Sequence, residues 1–411
     1  MRAEILSIGT ELLLGDIVNT NAQYLSRRLA ELGVYVYFQT VVGDNPERIL
    51  EAYAHAYGRA DLVVISGGLG PTEDDLTKET AASYFGRTMV DHPEIWEPIR
   101  RYYEKRGTAP IENARKQAAF PEGAVILPNP AGTAPGCWIE DQGRYMAMMP
   151  GPPREMIPMF EEQVIPRLKP HLSQTFQSRL LRVCGTGESN VEEALRHLIT
   201  GQSNPTVATY AKEGEVHVRI TARADTEEAA EILLIPAVEE CREALGELVY
   251  GQGNTSLEES IYLLLRQRNL TMAVAESLTG GLLTGRLVNV PGMSACLLEG
   301  LVPYTNQAKI RQLGIEPDKL EAFGAVSSEM AAAMARRVAE ISGAAIGLAV
   351  TGWAGPSKDP AEPAGLIWMG LHLAGETLTR RISFGGDRNR IRFFAANMAL
   401  CWLLRELKKA D

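Results

Sequence analysis

Two glycine-rich segments near the N-terminus combine flexible backbone with carboxylates. Residues 9–16 read GTELLLGD, and residues 66–75 read SGGLGPTEDD. Glycines let backbone N–H groups approach phosphate oxygens, and a following helix points its positive end at the anion. Carboxylates beside such a cradle repel a phosphate unless a divalent cation lies between them. The segments therefore predict a phosphate site that binds a hard metal ion. The candidate metal-binding acids among them are Glu11, Asp16, Asp74 and Asp75.

Neither segment has the spacing of the GxxxxGK[ST] or GxGxxG nucleotide-binding motifs. A simpler interpretation is that the acids cap a helix opening near Asp75. Four acids on two neighbouring loops favour the metal site over simple capping. Further along, Arg115 and Lys116 in NARKQ either meet phosphates or lie on a solvated helix face. The spacing leaves both interpretations open.

A serine at a strand–helix junction forms a second candidate site. Ser277 lies in AESLTGG, where nearby backbone N–H groups are expected to stabilise an oxyanion. The segment is not a GxSxG elbow, and His372, the one histidine beyond residue 254, falls in an alternating strand. A lysine can act as the base when desolvation lowers its pKa. Lys309 in YTNQAK is the candidate, and the alternative is that Ser277 merely caps a helix.

Two more loops follow buried strands near the C-terminus. TGWAGP covers residues 351–356, and GGDRNR covers residues 385–390 just before the last helix. Asp387 is a natural N-cap, and Arg388 at that helix start either binds a phosphate or is simply exposed.

The elements that position these residues alternate between strand and helix periodicity. The first 90 residues predict β-α-β-α-β order and a parallel, doubly wound sheet, in which ligands bind beyond the carboxyl ends of the strands. A small α+β unit follows, with a capping box at Ser189 opening a helix and a hairpin over residues 207–224. A glycine-rich linker at residues 251–255 leads into a second α/β domain.

Composition limits the function further. The chain has 411 residues, with 41 basic and 51 acidic side chains and a net charge of −10, which argues against binding nucleic-acid phosphates. Five dispersed cysteines predict reduced thiols. The N-terminus has no signal-peptide pattern, and residues 341–357 are too short and interrupted to span a bilayer. These features predict a soluble, cytoplasmic protein without a membrane partner.

GTELLLGDIVNTNAQYL and SGGLGPTEDDLT resemble the molybdopterin-binding-like domain that begins the CinA family, and NARKQA, NPAGTAPG and PGPPRE follow in the family's order. The resemblance implies an ADP-ribose pyrophosphatase over residues 1–170 that yields AMP and ribose 5-phosphate. It implies Mg²⁺, with Mn²⁺ or Co²⁺ as alternatives and K⁺ as an accessory ion. Asp74 and Asp75 become catalytic and metal-binding candidates, with Glu11 as a third ligand. The implied substrate-binding residues are Gly9, Glu11, Asn21, Gly67, Gly68, Gly70, Thr72, Lys116, Gly132 and Thr133.

AESLTGG, YTNQAK, GAVS, TGWAGP and GGDRNR resemble the C-terminal CinA domain, which is similar to nicotinamide mononucleotide deamidases. For residues 254–411 the resemblance implies hydrolysis to nicotinate mononucleotide and ammonia without a cofactor. Ser277 becomes the nucleophile, Lys309 the base and Tyr304 a polar helper. The implied substrate-binding residues are Thr279, Gly280, Asn306, Thr351, Gly352, Gly355 and Arg388. Two positions depart from the family: Pro303 replaces a threonine, and Trp353 replaces a small aliphatic residue.

Residues 171–250 resemble the KH-type domain between the two CinA enzymes, but GTGE at 185–188 does not match the RNA-clamping GxxG loop. A structural or subunit-contact role is favoured, and the resemblance implies a homodimer. The whole chain is thus expected to be a bifunctional hydrolase of the pyridine nucleotide cycle, acting in NAD salvage. The alternatives are a molybdopterin-binding module or a competence-associated interaction protein that has lost one or both activities.

Overall fold

The computed structural model describes residues 1–105, 107–108, 112–172, 174–355 and 363–409. Pro356 of the TGWAGP segment lies outside these ranges. The chain forms two compact units. One contains Met1–Gln177 and Ala222–Ile232, and the other contains Ser178–Thr221 and Leu233–Asp411.

The first unit is a mixed α/β structure. Its strands are β1 (Arg2–Ile8), β2 (Tyr35–Val42), β3 (Leu62–Ser66), β4 (Met89–Asp91), β5 (Ala119–Pro121), β6 (Val125–Leu127), β7 (Gly136–Asp141) and β8 (Arg144–Met149). Its helices are α1 (Thr10–Leu14), α2 (Thr20–Glu31), α3 (Pro46–Tyr57), α4 (Thr77–Tyr84), α5 (Pro93–Lys105), α6 (Pro153–Met159) and α7 (Ile165–Leu168). A 3₁₀ helix spans Glu112–Ala118, a π-helical turn spans Phe160–Val164, and a second 3₁₀ turn spans Lys169–His171.

The main sheet of this unit has the strand order β2-β1-β3-β8-β7-β6. The first four strands are parallel, as the alternation of strands and helices predicts. At the edge, β7 pairs with β8 in antiparallel orientation, and β6 pairs with β7 in antiparallel orientation. Ser7 pairs with Ser66, and Ser66 pairs with Met149, so β1, β3 and β8 end at the same level. The loops that follow these strands therefore meet at one edge of the sheet.

Two hydrophobic clusters cover opposite faces of this sheet. Leu62 and Val64 join one cluster with Phe160, whereas Val63 and Ile65 join the other with Phe120. Because successive side chains of a strand point to opposite faces, a strand buried on both faces has an uninterrupted apolar sequence. This arrangement explains the LVVI run of β3.

The second unit contains most of one small sheet and the whole of a larger one. Its strands are β9 (Thr175–Cys184), β10 (Thr206–Lys212), β11 (Glu215–Ala224), β12 (Val249–Gln252), β13 (Met272–Glu276), β14 (Leu297–Leu301), β15 (Ile346–Gly352), β16 (Leu366–Leu373) and β17 (Glu376–Ser383). Its helices are α8 (Glu188–Ala194), α9 (Arg196–Ile199), α10 (Glu227–Leu245), α11 (Leu257–Gln267), α12 (Leu282–Val288), α13 (Asn306–Leu313), α14 (Pro317–Phe323), α15 (Ser328–Ser342) and α16 (Arg388–Lys409). The division between the units falls within β9, β11 and α10.

The larger sheet has the order β14-β13-β15-β16-β17. Strand β13 is parallel to β14 and β15, and β16 and β17 extend the sheet in antiparallel orientation. Met272 and Val274 face a core that includes α16, whereas Ala273 and Ala275 face a core that includes α15. This sandwich places the end of β13, and hence Ser277, beside the end of β15.

Two local predictions in the middle region are wrong. Helix α8 begins at Glu188 after Gly187 without a side-chain cap, so Ser189 lies inside the helix and forms no capping box. The carboxylate of Glu188 instead accepts the backbone N–H of Ala211 on β10 (2.8 Å), a tertiary contact invisible to local spacing. Residues 251 and 252, expected in a linker, pair with β9 as part of β12. A capping box does occur further along, at Ser256 and Glu259 of α11.

Candidate active sites

The first site lies where β1, β3 and β8 end. Asn21 donates hydrogen bonds to the Ser66 hydroxyl (2.7 Å) and to the Gly151 carbonyl (2.6 Å), which ties the loops after β3 and β8 together. The side-chain oxygen of Asn21 is buried without a hydrogen-bond partner among the described residues. Asn21, predicted to bind substrate, is thus a structural bridge with a spare acceptor.

Two glycines bring the loop after β3 close to its neighbours. Gly67 has φ +110°, and a Cβ there would lie 2.0 Å from the Ile8 carbonyl oxygen. Gly68 has φ +67°, and its Cβ would lie 2.1 Å from the Thr77 hydroxyl. Only glycine fits at these two positions, because a side chain would both strain the backbone and clash.

The acidic pair of this loop is organised by Thr72. The Thr72 hydroxyl lies within hydrogen-bond distance of the carboxylates of Asp74 and Asp75, and Asp75 also accepts the Thr72 backbone N–H (3.0 Å). The hydrogen bond from Thr72 lowers the pKa of Asp74. Helix α4 has Leu76 as its N-cap and no side-chain cap, so the capping interpretation of these acids does not describe the structure.

Lys116 meets the same loop. Its ammonium donates to the backbone carbonyl of Thr72, so the predicted phosphate-binding lysine lies beside the acidic pair rather than on a free helix face. The backbone of the 3₁₀ helix that carries it is in turn bound by Lys78 of α4, a residue that sequence reasoning missed. Burial lowers the pKa of Lys78 to about 8.

The chemistry of the donors fits a hard cation at the acidic pair. Asp74 and Asp75 present carboxylate oxygens together, and Mg²⁺ in proteins is commonly held by one or two carboxylates with waters and substrate phosphates. Glu11 does not join them through any contact; its carboxylate folds back over Gly9, where a Cβ would lie 2.7 Å from Oε1. In the part of the chain that the structure describes, no three His, Cys, Asp or Glu side chains converge into a ready metal cage.

A buried acid shapes the loop between β6 and β7. Glu155 accepts a hydrogen bond from Asn129 (2.8 Å), and a Cβ on Gly132 would lie 2.1 Å from the Glu155 carboxylate. Gly132, predicted to bind substrate, thus packs on an acid from the first turn of α6, and Thr133 is the next residue of its loop. Glu155 lies in the PGPPRE segment, but neither residue type nor spacing there predicts its contact with Gly132.

The second site centres on Ser277, the residue after β13. Its hydroxyl oxygen lies 3.2 Å from the Lys309 ammonium, which also donates to the Pro303 carbonyl at 3.2 Å. Lys309 is 1% exposed, and burial lowers its pKa to about 8. The structure therefore brings the predicted nucleophile and base into direct contact. Pro303, noted only as a departure, supplies a carbonyl that holds the lysine.

The start of α12 is capped by Glu276 instead of Ser277. The buried Glu276 carboxylate accepts backbone N–H groups of Gly281 (3.0 Å), Leu283 (2.9 Å) and Thr284 (2.7 Å). The N–H of Ser277 is donated to Val350 (2.9 Å). These amides are therefore occupied, so the expected oxyanion contribution from this helix start requires other donors.

Thr279 offers such a donor. Its hydroxyl is buried and has no hydrogen-bond partner within the described residues. The loop around it is fixed because Arg392 donates to the carbonyls of Leu278 (3.2 Å) and Thr279 (2.8 Å), beside the left-handed Gly280. A rigid loop with one unsatisfied hydroxyl is suited to binding a polar ligand atom.

A second group of predicted residues assembles around Arg388. Its guanidinium donates to the Tyr304 hydroxyl (2.8 Å) and to the Gly355 carbonyl (2.7 Å). Tyr304 is therefore joined to Arg388 by contact, whereas no contact joins it to Ser277. The Thr351 hydroxyl donates to Ala325 (2.7 Å), and Asn306 is the first residue of α13.

Gly352 ends β15, and a Cβ there would lie 2.4 Å from the Leu366 carbonyl oxygen. Arg392, which binds the loop after Ser277, lines a cleft of about 460 Å³ together with Leu282 and with Glu213 of the β10–β11 turn.

All five cysteines lie in the described part of the chain and are buried and unpaired. Among the described helices, none is long and apolar enough to cross a membrane.

The fold and its polar sites define a multidomain α/β protein with two separate candidate active sites. Sequence profiles agree in domain order: residues 4–170 match a probable molybdopterin binding domain, residues 178–251 match the KH domain of damage-inducible protein CinA, and residues 254–407 match the CinA C-terminal domain.

The chain is 52% identical to a CinA-like protein of Dictyoglomus thermophilum over 99% of both chains. It is 49% identical to a putative competence-damage inducible protein of Alkaliphilus oremlandii, again over 99% of both. The chain belongs to the CinA family of competence- and damage-inducible proteins. The predicted family and three-domain α/β fold class are confirmed.

Solved structures of CinA proteins match part of the chain. A CinA superfamily protein from Escherichia coli is 32% identical, covers 37% of this chain and 89% of its own, and gives a TM-score of 0.36. The protein CinA from Thermoplasma acidophilum, titled as of unknown function, is 34% identical, covers 40% of this chain and 96% of its own, and gives a TM-score of 0.38.

Proposed function

We propose that this protein is a bifunctional hydrolase of the NAD salvage cycle. Its C-terminal site deamidates nicotinamide mononucleotide to nicotinate mononucleotide and ammonia, and its N-terminal site cleaves ADP-ribose to AMP and ribose 5-phosphate. Its partners on this proposal are these two nucleotides and a second copy of the chain, in the cytoplasm. The observation that carries the proposal is the buried contact between Ser277 and Lys309. The lowered pKa of Lys309 makes its amine a usable base near neutral pH.

Deamidation follows from this pair in two halves. The neutral Lys309 amine takes the Ser277 hydroxyl proton while Oγ attacks the amide carbon. The resulting ammonium gives this proton to the amide nitrogen, so that the C–N bond breaks and ammonia leaves. Water then attacks the acyl ester while Lys309 takes its proton. Lys309 passes this proton to the departing Ser277 Oγ, which breaks the ester bond and releases the nicotinate product. No histidine is required because burial, rather than an imidazole, provides a base of suitable pKa.

The remaining residues bind and orient the nucleotide. Arg388 has five N–H donors, of which its contacts to Tyr304 and Gly355 use only part, so it can also bind a phosphate. The unsatisfied Thr279 hydroxyl is available to the carboxamide or to the developing oxyanion. Gly352 ends β15 and Trp353 follows it, and on this proposal the Trp353 ring limits the space for the nucleotide.

At the first site, Asp74 and Asp75 would hold the divalent ion, and Lys116 would contact the diphosphate. When bound, the ion supplies Lewis-acid polarisation and neutralises phosphate charge. The chain itself contributes a fixed acidic pair on Thr72, a lysine held against the same loop and glycines that admit phosphate oxygens to the backbone.

One experiment tests both activities. Purified protein is incubated with ADP-ribose plus Mg²⁺, Mn²⁺ or Co²⁺, with or without K⁺, and separately with nicotinamide mononucleotide, and the products are resolved chromatographically. Turnover of both is expected. A protein that hydrolyses neither substrate would contradict the proposal and favour the interaction-protein alternative. Residues 4–170 match a probable molybdopterin binding domain. Binding of a pterin without hydrolysis of ADP-ribose would therefore favour the molybdopterin-binding alternative for these residues.

Matched variants assign each site. Ser277→Ala and Lys309→Met should abolish ammonia release, whereas Lys319→Met, at an exposed lysine paired with Glu316, should retain it. Asp75→Asn should lose metal-dependent pyrophosphatase activity, whereas Glu73→Gln on the same exposed loop should retain it. Full metal-independent activity of Asp75→Asn would overturn the assignment of the acidic pair.

A further inference from the structure

Lys78 is a buried cation with an unusual set of partners. It is 3% exposed, and its ammonium donates to the backbone carbonyls of Lys116 (3.1 Å) and Gln117 (3.0 Å). The ammonium lies 4.1 Å from the centroid of the Phe120 ring. Within the described ranges, no carboxylate lies at ion-pair distance from it.

Burying an ammonium without a carboxylate partner is costly, and an apolar side chain of similar length would avoid that cost. Two carbonyls and one aromatic face offset only part of it. Lys78 lies in α4, the first helix after the acidic loop. The free-energy cost of burying its ammonium indicates a role beyond filling the core.

The contacts of Lys78 lead to the first site. The two carbonyls that it binds belong to the 3₁₀ helix Glu112–Ala118, and Lys116 of that helix donates to the carbonyl of Thr72. Gln117 of the same helix donates to the Leu69 carbonyl (3.4 Å). Lys78 therefore fixes the backbone from which two side chains reach the loop after β3.

We propose that Lys78 is a positioning residue of the first site, which holds the 3₁₀ helix so that the Lys116 ammonium faces the loop where the diphosphate binds. This inference rests on the proposed pyrophosphatase function. Lys78 makes no contact with the acidic pair, so its effect passes through Lys116. Its buried charge also raises the positive potential beneath a loop that collects anionic groups.

The test is a double-mutant cycle on ADP-ribose hydrolysis by the full chain. Lys78→Met should lower kcat/KM by about 10- to 100-fold, because small displacements of a binding group cost that much. Lys78→Met added to Lys116→Met should lower it no further than about threefold, because the two act through one group. Lys169→Met, at an exposed lysine of the same unit, should stay within about twofold of wild type. Multiplicative losses from the two lysine variants would overturn the inference.

A second readout does not depend on turnover. Acetylation by an N-hydroxysuccinimide ester, followed site by site with mass spectrometry, reports how firmly each lysine is held. Lys116 should react several-fold faster in Lys78→Met than in wild type, whereas Lys169 should react equally in both. Unchanged labelling of Lys116 would overturn the inference even if activity fell.

The two readouts separate this inference from the proposed function. A wild-type protein that fails to hydrolyse ADP-ribose contradicts the proposed function, but faster labelling of Lys116 still supports the positioning role. Should Lys78→Met fail to give folded protein by circular dichroism, Lys78→Gln keeps a donor in place. That variant should show the same changes to a smaller extent, and normal activity and labelling in it would contradict the inference.

Discussion

Lys309 combines two properties that oppose each other. Its burial disfavours the charged amine, which creates a base, but the same burial makes the protonated form costly to the fold. The two atoms that it contacts, the Ser277 hydroxyl and the Pro303 carbonyl, are both neutral. Neither of them would raise the pKa as a carboxylate would, so the lysine stays reactive.

The pH dependence of deamidation should follow this lysine. Because the neutral amine is the active form and its pKa is about 8, log kcat/KM should rise with unit slope below about pH 8 and level off above it. The measurement is ammonia release from nicotinamide mononucleotide between pH 6 and 10 at constant ionic strength, where 6 and 10 mark roughly two units on each side of the pKa. Lys309→Arg, which stays protonated, should be inactive throughout. A profile flat across that range would exclude Lys309 as the base.

Replacing Lys309 should also stabilise the protein. The lowered pKa means that the native state binds fewer protons than the unfolded chain between about pH 8 and 10.4, so wild-type stability rises with pH across that window. Below pH 8 the full burial cost applies, on the order of 3 kcal/mol. Lys309→Met removes this desolvation cost, so the variant should melt at a higher temperature than wild type at pH 7. The difference in melting temperature should shrink as the pH approaches 10.

Scanning calorimetry at pH 7 and pH 9.5 measures this difference, with Lys319→Met as the exposed control. A variant less stable than wild type at pH 7 would contradict the argument, because it would mean that the ammonium contributes favourable contacts greater than its desolvation cost.

At the scale of single elements, the sequence predicts where strands end, but it does not predict the distant side chains that hold the loops after them. Apolar runs such as LVVI and the polar residues after them identify the loops, because burial of a strand and the end of its pairing leave a local signature. Ser277 and Lys309 are candidates from their residue types, and their pairing as nucleophile and base is what the resemblance to the C-terminal CinA domain implies. Lys78 and Glu155 could not be found, because their roles depend on carbonyls and glycines far along the chain.

The helix starts divide in the same way. Asn19 and Asn45 cap α2 and α3 through their own side chains, three residues from the amides that they bind, so both partners of each cap are close in the sequence. Helix α8 starts instead at Glu188, where a contact from a neighbouring strand overrides the local Ser189 signal. Local chemistry is readable from sequence when both partners are local.

The loop after β3 yields a prediction of its own. Gly67→Ala should abolish ADP-ribose hydrolysis and destabilise the first unit by several kcal/mol, because its Cβ would meet the Ile8 carbonyl oxygen at 2.0 Å. Gly143→Ala is the matched control: φ is +79° there as well, but no atom lies within 4 Å of the new Cβ. It should cost only about 1 kcal/mol.

Product analysis and urea unfolding monitor the two variants, with deamidation of nicotinamide mononucleotide as the internal reference for the second unit. Equal effects of the two substitutions would mean that the positive φ alone, and not the close approach of the β1 and β3 loops, makes Gly67 necessary.

On the scale of the whole molecule, the net charge of −10 takes a more specific meaning. Part of the acidic excess lies on the loop of residues 72–75, where it suits a cation, while the second site contains the Arg388 guanidinium and the buried Lys309 amine. The charge distribution is therefore consistent with two small nucleotide substrates in separate units.

The second unit also links the middle-domain hairpin to the serine site. Asn397 of α16 is 5% exposed and uses both ends of its amide. Its nitrogen donates to the Gly214 carbonyl in the β10–β11 turn (2.5 Å), and its oxygen accepts from Arg286 of α12 (3.1 Å). Because α12 follows the loop that contains Ser277, Asn397 holds the helix into which this loop leads.

Asn397→Leu should therefore weaken the second unit selectively. It removes the hydrogen-bond donor of the Gly214 carbonyl and one acceptor of the Arg286 guanidinium, which keeps its ion pair with Glu258, at a cost of about 1–3 kcal/mol. After graded heating, deamidation should be lost several degrees below wild type, whereas ADP-ribose hydrolysis should be lost at the wild-type temperature because its residues lie in the other compact unit. Asn289→Leu, at the exposed end of α12, is the control and should shift neither. Equal loss of both activities in Asn397→Leu would show that the two units unfold as one cooperative structure, and the hairpin would then support the whole chain instead of the deamidase site alone.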